Sequence, residues 1–374
     1  MLENGVKYCY NDISIKPTVI SNISSRKECI PYIDFFGENK LPIFTAPMSS
    51  VVGDGNYKKY NKNNIISIIP RNIKLYKRFK LFQQGEWVAF GLDEFEGLFI
   101  DKFVYLEHYK DYFILIDIAN GHMSRLVDLV KKKNEIYQNK SLHLMVGNVA
   151  NPETYDILSE AGVDYVRMNI GTGEGCITWS NTGIGYPVAS LIDETYKVKL
   201  RRDSLNKNSA FIVADGGIRN YSDVIKALAL GADFVMIGGL FSKLLDSSAQ
   251  TYYKNEENGK ESKVYLKETD KITINVDGDY TINNDFTVNT LYKEFYGMAS
   301  SHGQKDLYGT KVKTSEGVKK DFEITTTIEK WSSNMSDYLK SAMSYCGIKE
   351  VHDFNPENVT TILISQSCQN SINR

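Results

Sequence analysis

The residues best suited to chemistry lie in one stretch, 169–187, NIGTGEGCITWSNTGIGYP. Cys176 is its thiol, and Gly171, Gly173, Gly175 and Gly183 leave the backbone around it free of Cβ atoms and able to visit positive φ. A strand pattern, YVRMNI (165–170), runs into the stretch, and a helix pattern begins near Pro187, a favoured first-turn residue. A thiolate attacks well and leaves well, so a glycine-rich loop carrying one at the end of a strand predicts covalent catalysis. Loop N–H groups or a helix end would lower the thiol pKa from its usual value of about 8.5. A long surface loop with a free cysteine has the same composition, so the surroundings must decide.

The elements around the loop come from hydrophobic patterning. Runs at 41–48, 65–70, 87–92, 113–119, 142–148, 165–171, 210–217 and 234–241 are mostly continuous and apolar, as buried parallel strands are. Helix patterns at 124–137, 152–161, 187–200 and 221–230 separate the later runs, with Asn151 and Asn220 as N-caps and Gly231 as a C-cap. Strands alternating with crossovers fit an α/β fold, either a (β/α)8 TIM barrel or an open doubly wound sheet. Chemistry-bearing residues end many different runs: Asp117, Asn120 and Gly121, then Gly147 and Asn148, the Cys176 loop, Asp215 to Gly217, and Gly238 with Gly239. The barrel explains that distribution better, because its strands all deliver their C-terminal ends to one mouth. The two glycine doublets follow the last two strands, where such barrels often present backbone N–H groups to a phosphate. Asp215 would then be placed to accept ribose hydroxyls, or else to cap its loop.

Bulk properties set limits. The 374 residues are 42% hydrophobic and 24% charged with a net charge of −2, which favours neither nucleic acid nor an anionic membrane. Cys9, Cys29, Cys176, Cys346 and Cys368 are scattered without CxxC spacing, against a disulfide framework or a zinc site. There is no apolar stretch of about 20 residues and no signal-peptide core, so a soluble cytoplasmic protein is expected. Segment 242–327 is too long for an ordinary loop and contains hairpin signals, including a DG turn at 277–278; it predicts a flap or lid. Apolar spacing at Ile328, Trp331, Met335, Tyr338, Leu339 and Met343 predicts a helix packed on the barrel, and the tail beyond 355 is expected to end loosely.

These motifs, taken in order, resemble the inosine monophosphate dehydrogenase / guanosine monophosphate reductase family. The matching stretches are YNDISIKP (10–17), PIFTAPMSSV (42–51), LIDIANGH (115–122), MVGNVANPE (145–153), the Cys176 loop, residues 213–240, FYGM (295–298) and SEG (315–317). NTGIGYP (181–187) and IANGH are more similar to the reductase branch, and 71–112 leaves no room for the regulatory CBS domains that many dehydrogenases insert. A single barrel domain is therefore expected. The resemblance implies that Cys176 attacks purine C2, expels ammonia and forms a thioimidate, which hydride from NADPH converts to the inosine nucleotide. It implies a proton relay at Thr178 and a basic residue, Arg71, closing the second strand. Asp215 would hold the ribose, and Gly217, Gly238, Gly239 and Tyr296 the phosphate. Ser49, Met298 and Glu316 would also contact the substrate, and Asp117, Asn120, Gly121 and Asn148 the cofactor. Carbonyls of Gly171, Gly173 and Cys176 would hold K+, and a homotetramer is implied.

Three positions depart from the family pattern. Glu174 stands where the family has a serine that donates to the phosphate. Two unit charges about 4 Å apart at an effective dielectric near 20 repel by about 4 kcal/mol. Either Glu174 points away, a cation intervenes, or the substrate is not a 5′-monophosphate. Ser301 replaces the reductase glutamate, with His302 beside it as a substitute acid or base; Leu307 and Tyr308 lack the arginine of the dehydrogenase pair. Pro70-Arg71 lacks the histidine that precedes the basic residue in the family. Oxidation of IMP with NAD, and a diverged purine-nucleotide-binding protein without turnover, are the competing functions.

Overall fold

The computed structural model describes residues 5–138, 141–257, 260–267, 269–275, 277–309, 314–315 and 317–372. Eight parallel strands form its centre: β1 Ile43–Thr45, β2 Ile68–Ile69, β3 Trp87–Phe90, β4 Tyr112–Asp117, β5 Leu142–Val149, β6 Tyr165–Met168, β7 Phe211–Asp215 and β8 Phe234–Ile237. Each of β2 to β8 pairs with the next, β8 pairs with β1, and a parallel bridge between Phe44 and Ile66 joins β1 to the approach to β2. The fold is the (β/α)8 barrel, not the open sheet.

The period-2 alternation of a strand sorts the side chains into two sets. Phe44, Ile68, Trp87, Ala89, Phe113, Leu115, Met145, Tyr165, Val213, Phe234 and Met236 fill the barrel interior. The intervening residues, such as Ile43, Val88, Phe90, Ile114, Ile116 and Val166, pack outward under the helices. Helices Ser124–Ile136, Pro152–Glu160, Val188–Ser204 and Tyr221–Ala229 begin at or one residue after their expected starts. The Asn151 side chain accepts from Glu153 N and Thr154 N, and that of Asn220 from Asp223 N. Helices Leu75–Gln83 and Leu92–Phe95, the second running on into a π turn over Glu96–Asp101, were not expected. The first is rich in Lys and Arg, and its burial depends on Arg78, which reaches Ala89 O and Glu94 from an almost fully covered position.

After β8 the chain builds two antiparallel sheets. One orders Lys260–Tyr265, Thr251–Glu257, Tyr292–Tyr296 and Lys319–Glu323; the other joins Ile272–Ile274, Tyr280–Ile282 and Phe286–Val288, with Gly278 in the turn at φ 93°. Helix Ile328–Cys346 buries Ile328, Trp331, Met335, Leu339 and Met343. Tyr338 is instead 50% exposed and leans on Tyr221. The tail is more ordered than expected: Thr360–Leu363 pairs antiparallel with Ile13–Lys16, and helix Gln366–Ile372 follows. Among the described residues no helix is long and apolar enough to cross a membrane.

Candidate active site

The barrel interior changes character at its C-terminal end. Following the inward positions upward, β4 gives Phe113, Leu115 and Asp117, β6 gives Tyr165 and Arg167, and β7 gives Val213 and Asp215. The aromatic plug thus ends in a charged layer. Arg167 Nη1 donates to Asp117 Oδ1 at 2.7 Å, and its Nη2 and Nε donate to Asp215 Oδ2 at 2.8 and 3.2 Å. Asn148 Nδ2 donates to the same Asp215 oxygen at 2.6 Å. Burial disfavours charge on Arg167, but Asp215 and Asp117 outweigh it and raise the guanidinium pKa. The neighbouring strand makes room: a Cβ on Gly147 would stand 2.4 Å from Arg167 Cβ.

Asp117, Asn148 and Asp215 are therefore one network, held together by an arginine that the motif reading passed over. Its signal was present, since Arg167 interrupts an apolar strand on the inward register. Arg71, at the end of β2, joins the rim by donating Nη1 to Asp117 O at 3.0 Å, and Gly91 leaves space for its guanidinium. Among the described residues Asp117 Oδ2, Asp215 Oδ1 and Asn120 Nδ2 make no hydrogen bond with protein, and Asn120 Oδ1 accepts from His122 N. An acceptor, an amide donor and the close-packed Gly121 backbone beside Asn148 fit the hydroxyls of a ribose.

The Cys176 loop lies across this rim. A Cβ on Gly216 would meet Gly173 Cα at 3.5 Å, so the loop rests on the end of β7. Asn169 Nδ2 donates to Asp215 O at 2.6 Å and also to Thr172 Oγ1, tying the loop's start to the same strand. Cys176 N donates to Gly173 O at 3.0 Å, and Sγ lies 3.3 Å from Thr178 Oγ1 in the helical turn Thr178–Thr182. Cys176 is partly exposed. Trp179 anchors the turn, filling the space that Cβ atoms on Gly171 and Gly185 would take. Of the three carbonyls expected to hold K+, that of Gly173 is already engaged by Cys176 N; those of Gly171 and Cys176 accept nothing among the described residues.

The flap covers the loop from the other side. Val318 N donates to Gly175 O at 3.1 Å, and Cys176 forms an antiparallel bridge with Gly317. A Cβ on Gly175 would lie 2.7 Å from the Phe295 ring, and one on Gly297 only 2.5 Å from Gly175 O. In the FYGM segment Ser49 Oγ donates to Tyr296 Oη at 3.1 Å and lies 3.7 Å from Met298 Sδ. Both hydroxyls also converge on Asp306, with Tyr296 Oη donating to Oδ2 at 2.5 Å and Ser49 Oγ at 3.3 Å. Burial first, and the Asp306 bond second, push the Tyr296 phenol pKa up. His302 is exposed and packs its ring on Tyr296 at 4.4 Å between centroids. Glu316 lies outside the described residues.

The glycine doublets take the expected places. Gly216 and Gly217 follow β7 at φ 88° and 74°, and Gly238 caps the short turn Gly239–Ser242 after β8. Glu174 does not point away. Its carboxylate lies against Gly239, where a Cβ would stand 2.4 Å from Oε2, and Lys243 Nζ approaches Oε1 at 3.4 Å. Among the described residues Oε2 is buried without a hydrogen-bond partner. Lys243 and Asp306 had no motif to announce them. A separate cavity at the opposite end of the barrel, lined by Phe35, Tyr165, Phe211 and Phe234, contains none of these residues.

Comparison with known proteins points the same way. The family described as IMP dehydrogenase / GMP reductase domain matches residues 98–271. The chain is 30% identical over 349 residues to a GMP reductase of Staphylococcus aureus, covering 91% of this chain and 92% of that protein. It is 28% identical over 372 residues to a GMP reductase of Oceanobacillus iheyensis, covering 96% and 97%. A GMP reductase of Mycoplasma mycoides is 28% identical over 347 residues, covering 91% and 93%.

Proposed function

The chain belongs to the IMP dehydrogenase / GMP reductase family, and within it we propose an NADPH-dependent reductase that removes the 2-amino group of a guanine compound. The observation that carries this reading is the Cys176 thiol, 3.3 Å from the Thr178 hydroxyl, on a loop laid over the barrel rim beneath a flap. The name shared by the three relatives supports the reductive direction over oxidation of IMP.

In this reading the Cys176 thiolate adds to C2 of a 2-amino-6-oxopurine. Thr178 passes a proton to the departing amine, ammonia leaves, and a thioimidate links sulfur to C2. The chemistry that NADPH would supply when bound here is a hydride for C2. The C–S bond then breaks, the electron pair returns to sulfur, and the hypoxanthine product departs. Asp117 Oδ2, Asn120 Nδ2 and the Gly121 backbone, backed by Asn148, would hold the nicotinamide ribose. Asp215 Oδ1 accepts a substrate ribose hydroxyl while Arg167 holds the other carboxylate oxygen. The flap excludes water, which otherwise hydrolyses the thioimidate. Any K+ would sit on the carbonyls of Gly171 and Cys176, which accept nothing among the described residues, outside the bond-making steps.

Purified protein with NADPH and a panel of guanosine, deoxyguanosine, GMP and dGMP tests the proposal. At least one compound should consume NADPH with equal release of ammonia, and Cys176→Ala should abolish both while still binding the purine. Reduction of NAD by IMP with no reaction of any guanine compound would sink it.

A further inference from the structure

Barrels of this architecture hold a phosphate with the loops after strands seven and eight and the N-terminus of a short extra helix. Here that place is filled from within. The helical turn Gly239–Ser242 follows β8, and the Glu174 carboxylate lies against its first residue, with Oε2 buried and, among the described residues, unpartnered. A second carboxylate lies on the flap side, where Ser49 and Tyr296, two hydroxyls suited to a phosphate, both hydrogen-bond Asp306.

From these placements we propose that the site takes a purine nucleoside with a free 5′-hydroxyl instead of a 5′-monophosphate, and that Glu174 makes the selection. The inference rests on the reading that a guanine ring lies over Cys176.

The backbone on both sides of Glu174 is held in place. Gly173 rests on Gly216, and Gly175 is clamped between the Phe295 ring, Gly297 and the Val318 N–H. With both neighbours held, the carboxylate can leave only by rotation of its own side chain, which gives up its packing on Gly239 and its approach to Lys243. Among the described residues the one cation at the carboxylate, Lys243, is shared between Oε1 and the face of Phe322, 4.6 Å away. A phosphate dianion entering here meets the Glu174 carboxylate at contact, with Lys243 the one ammonium beside it among the described residues. A hydroxyl brings no charge and can donate to the exposed side of the carboxylate, a charge-assisted hydrogen bond.

The test compares guanosine, deoxyguanosine and GMP as ligands by calorimetry and as substrates with NADPH, on the wild type, Glu174→Ser and Glu174→Gln. Wild type should favour the nucleosides over GMP by at least about a hundredfold in kcat/KM. Glu174→Ser should erase most of that preference, raising GMP affinity about a hundredfold, and Glu174→Gln, which keeps the shape and removes the charge, should raise it about tenfold. Preference of the wild type for GMP, or a preference unchanged in both variants, overturns the inference and leaves the reductase reading standing. Failure of every guanine compound to bind or react overturns that reading, and this one with it. The wild-type comparison decides even where a variant fails to fold.

Discussion

Replacing Arg167 with methionine tests the charged layer on which the rim is built. The guanidinium is 5% exposed and makes three hydrogen bonds, two to Asp215 and one to Asp117. Methionine replaces the aliphatic stem but not the guanidinium, so the loss is mainly electrostatic: two carboxylates, 21% and 13% exposed, are left facing each other without their shared cation. Removing one partner of a buried ion pair costs about 3–5 kcal/mol, because the remaining charge is stranded. Partial exposure of both aspartates puts the expected value at the lower end, about 3 kcal/mol. For a chain of this length the unfolding entropy converts that to a fall in Tm of about 4 °C. Urea denaturation followed by circular dichroism measures it directly. Arg167→Lys keeps a charge but cannot bridge two carboxylates, so it should lie between the wild type and Arg167→Met. An Arg167→Met midpoint equal to that of the wild type would show that water or Arg71 already compensates the aspartates, and would refute the account of the rim.

Two further outcomes follow from individual side chains. Lys293 is 2% exposed, its Nζ donating to Ser247 O and Ala249 O at 3.0 Å, and burial lowers its pKa to about 7. The unfolded chain keeps that proton up to a pKa of about 10.4, so between the two values the unfolded state binds more protons and stability rises with pH. From about pH 7 to about pH 9 the wild type should gain about 2 kcal/mol relative to Lys293→Met in urea unfolding, and parallel curves would remove the assignment. Thr178→Val keeps the size of the side chain but removes the hydroxyl beside Cys176; turnover should drop about a hundredfold with purine affinity unchanged, and full activity would exclude Thr178 as the relay.

Much of this protein was decided locally. Alternation along Phe113-Ile114-Leu115-Ile116-Asp117 sets which side chains enter the barrel, because successive residues of a strand face opposite ways. Asn151 and Asn220 cap their helices from within two or three residues, and the Gly-rich run around Cys176 is a loop in any setting. The candidate nucleophile and its neighbouring hydroxyl were legible for the same reason. What tertiary structure decided depends on partners far apart in the chain. Arg167 was visible as a charge in a strand, but its two carboxylates come from β4 and β7, and only ring closure brings them to one point. The direction of Glu174 was open until folding placed Gly239 beside it and Lys243, 69 positions away, at its other oxygen. A side chain between two glycines has no local preference for either outcome; the packing of β7, β8 and the flap around its neighbours chooses one.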